Sequence, residues 1–113
     1  MKRVAIFNCH HAGETCTGSG CFKAFNQRDA FFARYQEEPA ELVSFARCNG
    51  CGHDWENDES LAKKIDRLKD IADVVHFGAC TVKKGTECQF ITRLGTKLEG
   101  MGLEVVRGTH AVH

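Results

Sequence analysis

Val74-Val75-His76-Phe77-Gly78-Ala79-Cys80 is a short, nearly unbroken apolar run that closes on a cysteine, and its reading decides the fold. A strand covered on one face alternates apolar and polar residues, whereas a run that stays apolar needs cover on both faces, as in a parallel sheet with helices above and below. Working outward, comparable runs occupy residues 4–9, 42–48 and 103–110, the first two closing on Cys9 and Cys48 and the last on His110. Glu104 and Arg107 interrupt the last run and mark it as an edge strand.

Helical patterns separate these runs. After Asp58 and Glu59, which suit the positive end of a helix, Leu61, Ile65, Leu68 and Ala72 fall on one stripe, while Lys63, Lys64, Asp66, Arg67 and Lys69 take the remaining surface. Thr86-Glu87-Cys88-Gln89 has the spacing of a capping box, so a third helix is expected to open there, bury Ile91, Leu94 and Leu98, and stop at Gly100 and Gly102. Residues 21–35 carry Phe22, Phe25, Phe31, Phe32 and Tyr35, and read as a first helical region broken near residues 26–29, with its aromatics in the core. The alternation predicts an α/β fold. We expect a three-layer sandwich around a four-stranded parallel sheet, in flavodoxin-like order 2-1-3-4, forming a single domain over residues 1–113.

Composition narrows the class of function. Fifteen basic and fifteen acidic residues balance, so no cationic surplus points to nucleic acid, and no apolar stretch suffices for a secretory signal or a membrane span. The expectation is a cytoplasmic protein. Seven cysteines and six histidines stand out: an odd thiol count without a secretion signal argues against a disulfide framework and for metal or redox chemistry.

The thiols are placed where such chemistry would be done. Cys9, Cys48 and Cys80 each end a predicted strand, as does His110, and in a parallel sheet all carboxyl ends face the crevice where ligands bind. Cys16, Cys21, Cys51 and Cys88 lie just downstream, so each loop that follows one of the first three strands contributes sulfur. Cys48-Asn49-Gly50-Cys51 has the C-x-x-C spacing that lets two sulfurs grip one ion, with Gly50 free to make the turn and His53 able to add a nitrogen. Cys88 is expected near a helix start, where free amides favour a thiolate. His10 and His11 follow Cys9 in a polar loop, whereas His76, in mid-strand, reads as a core histidine satisfied by hydrogen bonds.

This set predicts a metal partner, zinc by default, held by Cys9, Cys48, Cys51 and Cys80, with Cys16, Cys21, Cys88 and His110 to complete it or form a second centre. An iron–sulfur cluster is an alternative that the residue types leave open. Another is a thiol-disulfide oxidoreductase that cycles the Cys48/Cys51 pair, although that pair ends a strand instead of opening a helix, and the only proline, Pro39, precedes the second strand. A phosphatase-like oxyanion cage needs Cys-x5-Arg, yet Thr15, Phe22 and Gln27 stand six residues after Cys9, Cys16 and Cys21. The glycine-rich Cys16-Thr17-Gly18-Ser19-Gly20-Cys21 loop also lacks the Lys-Ser/Thr ending of a P-loop.

Several segments together resemble the CGGC domain family of small cysteine-rich proteins. The shared pattern is a strand ending in cysteine, Cys-Phe-Lys-Ala-Phe at residues 21–25, Ala-Arg-Tyr at 33–35, the central motif at 48–51, His-x3-Cys at 76–80, a further cysteine at 88, and Gly-Thr-His at 108–110. The resemblance implies metal binding, usually taken to be zinc, through those cysteines and histidines, and names no reaction. Asn49 departs from it, standing where the name-giving motif has glycine, as does Gly52, where proline often follows.

Overall fold

In the computed structural model, which describes residues 1–110, strand β1 (Lys2–Asn8) is followed by a 3-10 turn at Ala12–Glu14 and helix α1 (Ser19–Gln27). A 3-10 segment, Ala30–Tyr35, leads to β2 (Ala40–Arg47), α2 (Glu59–Ile71) and β3 (Val74–Phe77). A two-stranded hairpin, β4 (Val82–Lys83) with β5 (Thr86–Glu87), precedes α3 (Gln89–Gly100) and β6 (Glu104–Arg107). The main sheet has order β2-β1-β3-β6 with every pairing parallel, which is the expected 2-1-3-4 among its four long strands.

The alternation of side chains along β1 divides the core between the two faces. Ala5 and Phe7 pack with Leu61, Ile65, Leu94 and Leu98 of α2 and α3, while Val4 and Ile6 pack with Ala24, Phe25, Phe32 and Tyr35. Helices therefore cover both faces, and each fully buried leucine or isoleucine contributes roughly 1.5–3 kcal/mol. The strands stop one to three residues short of the expected thiols and His110, so these side chains belong to the loops at the sheet's edge.

Two local expectations are resolved by side-chain competition. The first helical region breaks where expected: Arg28 takes a left-handed conformation after α1 and donates to Phe25 O and Ala40 O. The capping box does not form. Thr86 and Glu87 instead pair with Lys83 and Val82 in the hairpin, Glu87 bonding Arg107 Nε at 2.7 Å and Thr92 Oγ1 at 2.6 Å, so α3 opens two residues later than expected, with Cys88 at its N-cap.

Candidate functional site

The carboxyl ends of β1, β2 and β3 open onto a common rim, and the loops leaving them carry sulfur. Cys9 directly follows β1, Cys48 directly follows β2, and Cys80 lies in the 3-10 turn Ala79–Thr81 after β3. A cavity of about 250 Å3 is bordered by Cys9, Cys48, Cys51, Cys80 and Cys88, with His11 and His53 also on its wall and no aspartate or glutamate. The loop after β1 touches the sulfurs of both neighbouring strand ends: Cys9 N–H donates to Cys80 Sγ and His10 N–H to Cys48 Sγ, each at 3.3 Å.

The C-x-x-C loop is fixed from outside by α2. Gly50 and Gly52 take positive φ of 110° and 88°, so the turn draws its conformational freedom from glycine, and Asn49 does not occupy the left-handed region. Its carboxamide has another task. Lys64 Nζ donates to Asn49 Oδ1 at 2.6 Å and to Arg47 O at 2.7 Å, while Asn49 Nδ2 donates to Asp58 Oδ2 at 3.1 Å. Asp58 also caps α2, accepting from Ser60 and Leu61 N–H, and holds His53 Nδ1 at 2.9 Å. The Asn49 amide, followed by the Leu61 N–H, holds the Asp58 carboxyl below the usual carboxylate range. Burial pulls the Lys64 ammonium below its ordinary pKa, and the nearby Cys48 and Asp58 oppose that pull. Both residues flanking Cys48 are thus tied to one ammonium.

Comparison with known protein families reflects the same arrangement: the family model for the CGGC domain matches residues 3–110. The chain belongs to the CGGC domain family. No curated protein and no solved structure matches it. The family is associated with metal binding.

The donor chemistry of this CGGC domain fits such an ion. A cavity with five thiols, two imidazoles and no carboxylate suits soft or borderline metals and suits magnesium or calcium poorly. The backbone N–H groups on the Cys48 and Cys80 sulfurs are outer-shell donors of the kind that orient metal thiolates, and a carboxylate on His53 Nδ1 leaves Nε2 as the ligating nitrogen. Among the described residues, no three histidine, cysteine, aspartate or glutamate side chains stand close enough to hold one ion as placed. Burial pushes the Cys80 thiol up; the Cys9 N–H opposes this, and the sulfurs of Cys9, Cys21 and Cys16 add to it. Cys80 therefore keeps its proton near neutral pH unless a cation displaces it.

The remaining sequence candidates lie elsewhere in the CGGC domain. Cys16 accepts Gly18 N–H at 3.3 Å and borders a second cavity, reached by Cys9 and Cys80 as well. Cys21 is 4% exposed in the core beneath, its sulfur 3.3 Å from Thr109 Oγ1. His110 lines a third, open cavity with Lys23 and Asp29 beside α1, away from the cavity the five thiols border. His76 is a fully buried core histidine, as read from the sequence, bonded to Gly108 O and Tyr35 Oη at 2.8 Å each. The supporting roles of Asn49, Lys64 and Asp58 are not visible in the sequence, because their contacts span nine and fifteen residues and depend on how α2 docks.

Proposed function

We propose that this chain is a metal-binding protein that takes zinc at the carboxyl edge of its parallel sheet, with Cys9, Cys48, Cys51 and Cys80 as the leading ligands. Cys88 and His53 stand beside them as completing donors. The observation that carries this reading is the convergence of five cysteines, from the loops after β1 and β2, the turn after β3 and the N-cap of α3, on one cavity free of carboxylates. Because the sulfurs border a shared space without forming a closed set, coordination requires rotation of loop side chains, and binding releases the Cys80 proton. A thiolate-only set would make the ion structural, and no carboxylate lines the cavity as a general base for metal-assisted hydrolysis.

The test is elemental analysis and an absorption spectrum of protein purified without air. One equivalent of zinc and a colourless solution are expected, with the metal lost from the Cys48→Ser/Cys51→Ser double variant. A brown protein containing iron and sulfide would replace zinc by a cluster. A metal-free protein with a reversible Cys48/Cys51 disulfide would replace metal binding by thiol exchange.

A further inference from the structure

Cys9 and Cys80 border two cavities and so form the partition between them. The second, of about 320 Å3, lies between the loop after β1 and the end of β2, within the size range of small-molecule sites. We propose that this second cavity binds a small oxyanion, with the Arg47 guanidinium as its charge partner.

Four observations lead there. First, no aspartate or glutamate lines this cavity, so its only formal side-chain charge besides the thiols is that of Arg47. Second, Arg3, Arg34, Arg93 and Arg107 are each paired with a carboxylate, whereas among the described residues the Arg47 and Arg67 side chains make no hydrogen bond or ion pair, and of these two Arg47 is the one that borders this cavity. Third, the exposed Arg47 side chain lies across Gly13, where a Cβ would have to push the guanidinium aside, so glycine at that position lets it rest against the β1–α1 loop. Fourth, the Thr17 hydroxyl accepts Ser19 N–H at 3.3 Å, which leaves its own hydrogen to donate into the cavity.

A planar fork of N–H donors beside a hydroxyl donor, at the carboxyl end of adjacent parallel strands, is a setting that recognises anionic oxygens. The guanidinium comes from β2, so a motif search for arginine within the cysteine loop does not find it. The stacked rings of Phe22 and Phe45, 5.0 Å between centroids, give the cavity an apolar wall against which an organic body can lie. The shared chemistry is the anion, and it can come from a free tetrahedral ion or from the carboxylate of a small organic acid.

Calorimetric titration of the reduced 113-residue chain separates the two sources, with inorganic phosphate in one arm and methylthioacetate, a carboxylate whose thioether neither strips metal nor exchanges with thiols, in the other. Saturable binding is expected in one arm. Arg47→Met should weaken it at least tenfold, Arg47→Lys should weaken it less, and Thr17→Val should weaken it several-fold. Metal content measured on the Arg47→Met protein should equal that of the wild type, which keeps this outcome separate from the metal reading. No saturable binding in either arm, or equal affinity in wild type and Arg47→Met, overturns the proposal and leaves Arg47 as a counter-charge for the neighbouring sulfurs.

Discussion

At the scale of single residues, the chemistry of each buried polar group follows from its partners. Gly108 O can only accept, so His76 Nδ1 carries the proton and Nε2 accepts from the Tyr35 hydroxyl; a second proton would break that arrangement. Burial, only partly offset by the Gly108 carbonyl, pushes the His76 pKa down to about 4. The folded pKa lies below the unfolded value of 6.5, so the stabilisation is complete above 6.5 and is lost as pH falls from 6.5 toward 4, by roughly 3 kcal/mol. NMR titration should find the His76 imidazole neutral at pH 5, and a midpoint near 6.5 would contradict the buried pair. The sequence identified His76 as a core residue because it sits within an apolar run; it could not show the part played by Asn49. Asn49→Gly restores the family's glycine yet removes the bonds to Lys64 and Asp58 from the C-x-x-C loop, while Lys64→Met removes the shared Lys64–Asn49 bond together with the one to Arg47 O. Outer-shell losses of this kind cost about 10–100-fold in metal affinity. Competition with a chromophoric chelator should show each variant weakened within that range, and unchanged affinity would free the loop from dependence on α2.

At the scale of elements, the strands and helices were legible wherever one periodicity dominated. The apolar runs of β1 and β3 and the stripe of α2 appear in place, because burial on two faces and on one face leave different patterns. The start of α3 falls two residues beyond the expected Thr86 cap, because Thr86 and Glu87 pair with Lys83 and Val82 in the hairpin, a pairing that a short local motif does not reveal. Asp58 joins both levels, capping α2 and anchoring Asn49 and His53. Asp58→Ala should lower stability by about 1 kcal/mol through the cap and should also weaken metal retention. Urea unfolding reads the first effect and chelator competition the second. Loss of stability with full metal retention would confine Asp58 to its capping role. Gly78 permits the close approach of β1 and the loop after β3, since a Cβ there would overlap the Asn8 carboxamide, whose Oδ1 is already buried without a partner among the described residues. Gly78→Ala should therefore cost about 1–3 kcal/mol as an overpacked contact. A urea midpoint equal to that of the wild type would show that Asn8 can move aside.

At the scale of the whole molecule, topology brings distant sulfurs together. Parallel pairing of β1 with both β2 and β3 puts the first residues beyond each strand at one edge, so Cys9, Cys48 and Cys80 meet although up to 71 residues separate them. That convergence could be read from strand ends alone, because any all-parallel sheet aligns its carboxyl ends. The placement of His110 beside α1 could not, since it depends on the course of the chain after β6. No helix among the described residues is long and apolar enough to cross a membrane. The central claim concerns what the meeting of sulfurs accomplishes, and X-ray absorption at the zinc edge of the loaded protein tests it most directly. The account predicts a first shell dominated by sulfur at about 2.3 Å. A shell made only of nitrogen and oxygen neighbours would contradict it.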